Sequence, residues 1–289
     1  MGALASLAYV LALVTAQVDL RVGPVDQVAL VGEHITVELV IEAADDPEFV
    51  SAVDALLSWD PNRLELVNSS LADFPPYVFG FLLDPDGINA DVGDGEALYT
   101  ALAPPGASVS LFSDLVVARF EFEVLTSACV GLVPSSGLFG ETRVHGVVPG
   151  EVITGTLAPH SVVEVPGTWA DLGGAAAGTG SLVPQLEGDG VLLECEPYTV
   201  TLSDALPSTL GFLVIGFNSL NLPFKGGIIV PDLDIIRMFP VGPTGSKVFT
   251  GPWPPGVPGG MTLYMQVWAV DAGAFSGYSA SNGLSGTTP

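Results

Sequence analysis

From Val53 to Trp59 apolar and polar positions alternate, with Val53, Ala55, Leu57 and Trp59 facing one way and Asp54, Leu56 and Ser58 the other. That period belongs to a strand rather than a helix. Asp60-Pro61-Asn62-Arg63 then breaks the run, because proline presets φ for a turn and Asp60 and Asn62 bond locally to backbone. The chain is predicted to reverse there and resume as a strand over Leu64 to Val67. The same period marks Gln17 to Val22, closed by Gly23-Pro24, and His34 to Glu42, where Ile35, Val37, Leu39 and Ile41 point inward. Glu96 to Ala103 reads as a further strand. Leu115 to Leu125 is longer, with Val116, Ala118, Phe120, Phe122 and Val124 inward and Arg119, Glu121 and Glu123 outward. Gly150 to Thr156 and His160 to Val165 are the expected closing strands of this half, whereas Ser69 to Gly95 lacks periodicity and is predicted to be irregular. Further on, Tyr198, Val200 and Leu202 mark one strand, and Leu210 to Phe217, Ile228 to Val241 and Met261 to Val270 mark three more. Breakers at Ser203-Asp204, Pro223, Gly242-Pro243 and Pro252 to Pro258 separate them.

Composition turns this pattern into a fold class. With 35 Gly, 24 Pro and few basic residues in 289, the chain reads as all-β, many short strands joined by tight turns. Residues 1–16, MGALASLAYVLALVTA, form an apolar run ending in small residues, the pattern of a secretory leader cleaved after Ala16. No Lys or Arg precedes the run, and it is shorter than the roughly 20 residues a membrane span needs. No other segment qualifies as a span, so no membrane insertion is expected after leader removal. The remainder is long enough for two β-sandwich domains in tandem, Gln17 to Val165 and Gly167 to Pro289. Gln17–Pro166 carries 23 acidic and 4 basic residues and Gly167–Pro289 carries 9 and 3, which account for the net charge of −25. A field of this sign repels phosphate backbones and anionic lipid, so nucleic acid is excluded as an expected partner.

Trp59-Asp60-Pro61 followed by Leu64-Glu65-Leu66, together with the Phe120-x-Phe122 strand, resembles the cohesin family and the carbohydrate-binding modules that share its sandwich. The resemblance covers about residues 17 to 165. It implies a jelly-roll type β-sandwich without catalysis, located outside the cell or on its surface, whose partner is an extracellular protein or a polysaccharide. Cohesins bind dockerins, and this chain carries no dockerin-type duplicated calcium segment, so such a partner would be another protein. In the second half, Trp169-x-Asp171-Leu172-Gly173, Leu222-Pro223-Phe224-Lys225-Gly226-Gly227, Trp253-Pro254 and Ser281-Asn282-Gly283-Leu284 resemble a C-terminal module recurrent in secreted bacterial proteins. That resemblance implies boundaries and location but no chemistry.

Candidate chemistry is sparse. The run DPDGINADVGDGE offers Asp84, Asp86, Asn89, Asp91 and Asp94 as oxygen ligands for calcium, although the spacing departs from an EF-hand loop and a solvated turn explains the same residues. His34, His145 and His160 fall into no catalytic spacing, and neither a zinc-protease helix motif nor a nucleophile elbow is present, so no enzyme is expected. Trp59 and Trp268 sit in alternating strands and belong to cores. Trp253, between prolines, is the better candidate for an exposed sugar platform, with loop packing as the alternative. Cys129 and Cys195 flank the expected boundary. Either they form an interdomain disulfide or they are two separate thiols; with Cys129 read in a loop and Cys195 in a strand, separate thiols are the preferred expectation.

Overall fold

The computed structural model describes residues 17–43, 48–74, 78–81, 92–136, 140–158 and 160–289. The leader expected at 1–16 lies outside them. In the first half the strands are β1 (Val18–Gly23), β2 (Asp26–Val28), β3 (His34–Ile41), β4 (Glu48–Val50), β5 (Ala52–Trp59), β6 (Leu64–Leu71), β7 (Val78–Phe81), β8 (Glu96–Leu102), β9 (Val109–Leu111), β10 (Leu115–Val124), β11 (Ala128–Val133), β12 (Ser135–Ser136), β13 (Gly140–Glu141), β14 (Arg143–His145), β15 (Thr154–Leu157) and β16 (His160–Glu164). The second half adds β17 (Trp169–Gly173), β18 (Gln185–Asp189), β19 (Pro197–Ser203), β20 (Leu210–Gly216), β21 (Ser219–Phe224), β22 (Gly227–Pro231), β23 (Ile235–Pro240), β24 (Lys247–Pro252), β25 (Thr262–Val270), β26 (Tyr278–Ala280) and β27 (Gly283–Thr287). The described residues contain no α-helix, only two short 3-10 turns. The chain is all-β, as its alternation implies.

Two sheets face each other in the first half, one ordered β15-β1-β3-β10-β6 and the other β2-β16-β11-β5-β8-β7, with β14 also on β5. Their inner faces bury Leu39, Ile41, Phe120 and Phe122 against Val53, Leu57, Trp59 and Tyr99. Two edge-to-face aromatic pairs join the sheets, Trp59–Phe122 at 5.2 Å and Tyr99–Phe120 at 5.3 Å between ring centroids. Strands β5 and β6 lie in different sheets, so Asp60–Arg63 forms a corner of the sandwich and not the turn of a hairpin. Asp60 builds that corner. Its Oδ1 accepts from the Asn62 amide at 2.9 Å and its Oδ2 from Arg63 Nε at 3.0 Å, while Arg63 also donates to the Ser127 carbonyl at 3.2 Å. Burial pushes the Asp60 carboxyl up, and the Asn62 and Arg63 donors more than offset this, holding it below the usual carboxylate range. Gly95, at φ +93°, lets β8 start against the corner, where a Cβ would strike the Trp59 carbonyl oxygen.

Two expectations for this half need correction. A bulge in β10 between Val116 and Ala118 turns Val117 into the core in place of Val116. Ser69 to Gly95 is not wholly irregular: β6 runs on to Leu71, and β7 pairs with β8. Strand β6 ends its sheet and shows Glu65, Val67, Asn68 and Ser70 to solvent, so polar residues conceal its period.

In the second half the sheet β17-β27-β25-β20-β23, with β26 on β25, packs against β18-β19-β24. Leu213, Val267, Ala269 and Leu284 meet Leu186, Val200 and Leu202 between them. The opposite face of the larger sheet is also covered, since the β21–β22 hairpin lays Ile229 beside Val214 and Trp268. The single run expected over Ile228 to Val241 is therefore two strands, because Pro231 ends one and the Asp232-Leu233-Asp234 turn re-aims the next. Among the described residues no strand pairing joins the two halves.

Candidate functional site

The two faces of the first sandwich differ in what covers them. On the β11–β5–β8 sheet the outward Leu56 and Leu98 are buried with Val133 packed on them, although they lie on the side of the sheet away from the main core. Next to them, Cys129 projects outward from β11, because its neighbours Ala128 and Val130 take the inward positions. Cys129 is bonded to Cys195, with the two Cα atoms 6.6 Å apart. This overturns the preferred expectation of two separate thiols. The local assignments were inverted: Cys129 is in a strand, and Glu194-Cys195-Glu196 is a turn before β19 rather than a strand. The alternation of apolar and charged residues around Cys195 imitates a strand, but among the described residues no strand pairs with it.

Beside the disulfide, a cleft of about 1190 Å³ separates the halves. Ser58, Gly131 and His160 line it from the first half, and Leu192, Leu193 and the Pro252–Val257 segment from the second. Trp253 does not form an exposed platform. It is 7% exposed and packs edge-to-face on Tyr198 at 5.6 Å, as the packing alternative holds. Trp59 and Trp268 are buried too, and Trp169 is half-buried with its indole N–H donating to the Gly190 carbonyl at 2.8 Å.

The face formed by β1, β3, β10 and β6 is open. Strand alternation aims Glu38, Glu65, Glu121 and Glu123 outward with Thr36, Asn68 and Val67 among them. Arg119 is held by Glu38 at 2.8 Å, His34 lies 2.9 Å from Glu121, and Arg21 contacts Glu42 and Asp114. The Ala43 amide and then Arg21 keep the Asp114 carboxyl below its ordinary range. With its cations already paired, this surface keeps Glu65 and Glu123 as unneutralised carboxylates around exposed Val67.

One polar cluster was invisible to spacing. On the outer face of β5, Asp54 accepts from the Thr100 hydroxyl at 2.5 Å and lies 3.2 Å from His145 Nε2. The three residues are neighbours only through sheet pairing, 46 and 91 positions apart. Ser51 nearby donates its hydroxyl to the Gly146 carbonyl at 2.5 Å, with the His145 carbonyl at 3.3 Å, so its proton is engaged by backbone oxygens. The cluster fastens the β14 edge to the sheet. Of the expected calcium ligands, Asp84, Asp86, Asn89 and Asp91 lie outside the described residues. Asp94 is exposed, and its carboxylate accepts from the Glu96 amide at 3.0 Å.

The first half is thus a two-sheet β-sandwich with one covered and one open face. No family model matches the chain, and no curated protein matches it either. Among solved structures the chain is similar to cohesin modules. The sixth cohesin of scaffoldin B from Acetivibrio cellulolyticus, solved in complex with a Cel5 dockerin mutant, shares 13% identity over 52% of this chain and 99% of that one, with a TM-score of 0.40. The seventh ScaB type I cohesin from Pseudobacteroides cellulosolvens shares 16% identity over 54% and 96%, with a TM-score of 0.41. A non-cellulosomal cohesin from the archaeon Archaeoglobus fulgidus shares 16% over 53% and 93%, with a TM-score of 0.37. Among the described residues no helix is long and apolar enough to cross a membrane.

Proposed function

We propose that the chain is a secreted, non-catalytic binding protein whose first sandwich engages another protein through the open face of β1, β3, β10 and β6. The observation that carries this reading is the composition of that face: a sheet surface with free carboxylates at Glu65 and Glu123 around an apolar Val67, while the other face is already occupied. Such a surface suits a partner presenting Lys or Arg around a small apolar contact, and its charge would chiefly steer encounter and orient the complex. A polysaccharide has less to hold it, since all four tryptophans are buried or half-buried.

The test uses residues 17–289 as bait against the secreted fraction of the source organism, in parallel with a glycan array. A protein should be retained at low salt, released as salt rises, and lost to the double variant Glu121→Lys, Glu123→Lys. Retention that ignores both salt and the double variant, or array binding in place of a protein, would dispose of the reading.

A further inference from the structure

The second half carries a surface of the opposite kind. Strand β23 is last in its sheet, and it pairs with β20 over six consecutive residues without a bulge. Ile236 is 56% exposed and Met238 66%, with Ile235 exposed beside them and Phe239 alone turned into the core against Phe249 of β24. Unpaired strand edges are ordinarily blunted by charges, proline or bulges. Here Arg237 is the one charge on the strand, and Pro240 stands at its last position. The edge is therefore apolar, regular and open along Ile235–Phe239.

Charge says what fits it. In the first half Arg21, Arg63, Arg119 and Arg143 each pair with a carboxylate. Among the described residues, Lys225, Arg237 and Lys247, the basic side chains of the second half, have no carboxylate within ion-pair distance; Lys225 lies instead over the Tyr278 ring at 4.4 Å. The nearest carboxylates before β23, Asp232 and Asp234, accept from the Leu233 and Phe217 amides. An acidic residue of an occupant is thus opposed at the Ile235 end of the strand and favoured at Arg237.

We propose that β23 is a site for strand addition, occupied by an extended segment of another protein that alternates apolar and acidic residues. Backbone pairing along the open edge supplies affinity, and alternate side chains supply specificity, with apolar residues over Ile236 and Met238 and a carboxylate at Arg237. The site is separate from the open face of the first sandwich, so neither depends on the other.

The probe is a fluorescein-labelled seven-residue peptide alternating valine and glutamate, tested by anisotropy on the full chain beside its valine–lysine counterpart. Saturable binding of the glutamate peptide alone is expected. Arg237→Glu, at an exposed position and checked for an unchanged near-ultraviolet dichroism spectrum, should weaken it at least about tenfold, and Arg237→Lys much less. Two versions of the peptide, N-methylated at every second residue in either phase, separate backbone pairing from simple apolar contact: one phase must lose binding. Equal binding of both charge types, indifference to Arg237→Glu, tolerance of N-methylation in both phases, or no saturation would each overturn the proposal. A dimer of the protein alone that Arg237→Glu dissolves would assign the edge to a second copy and overturn the stated occupant.

Discussion

Asp271 does at the residue level what a buried carboxylate needs in order to persist. At 2% exposure it accepts from the Thr179 hydroxyl at 2.5 Å, the Thr179 amide at 2.7 Å and the Gly273 amide at 3.0 Å, tying the segment before β18 to the turn after β25. Burial pushes its carboxyl up, and these donors outweigh burial, so it titrates below the usual carboxylate value. A folded-state value below the unfolded one means that the contribution is complete above about pH 4 and is lost as pH falls through the lower folded value. Asp271→Asn should cost about 2 kcal/mol in urea unfolding at neutral pH, and the gap between wild type and variant should narrow in acid. A gap independent of pH would show that the charge of Asp271 is not what stabilises the fold. Asp94 gives a second expectation: its carboxylate already accepts from the Glu96 amide, so chelator should leave the melting temperature unchanged, and a fall would mean that residues among 84–94 carry calcium.

At the scale of elements, strands that send every second residue into the main core could be read in advance, and the others could not. β3 and β5 bury every second residue along their length and β10 does so from Ala118 to Val124, and the alternation located all three to within about two residues. β21 is exposed along its whole length, and β2, β12, β13 and β14 are two or three residues long, so neither kind has a period to detect. The open face was half legible, because Glu121 and Glu123 were assigned outward, whereas Glu65 and Val67 join them only through the pairing of β10 with β6. The cluster at Asp54 was hidden for the same reason. Trp59 and Phe122, both read as inward, meet across the sandwich, so Trp59→Ala and Phe122→Ala should each cost about 3–5 kcal/mol. Their double variant should cost less than the sum, since each loses the same contact. Additive losses would mean that the pair does not couple the sheets.

Across the whole molecule, covalent geometry matters more than noncovalent contact between the halves. Among the described residues no hydrogen bond or ion pair crosses between them, and the Cys129–Cys195 bond stands beside an open cleft. Denatured, unreduced protein should show no reactive thiol. Reduction, or Cys129→Ser with Cys195→Ser, should raise the radius of gyration in solution scattering while leaving the β-sheet dichroism of both halves in place; an unchanged radius would mean that the cleft walls hold without the bond. The bridge has a mechanical meaning as well. It closes a ring of sequence separation 66 that contains the only peptide connection between the halves. The covalent path between the two ends of the chain runs through sulfur, and the 65 residues inside the ring cannot be drawn out while that bond holds. Unfolding by force should therefore release a contour about 220 Å shorter in oxidised protein than in reduced protein, at roughly 3.4 Å per residue. A molecule held by its ends against flow would keep β12 to β18 from being pulled out to length for as long as one bond lasts.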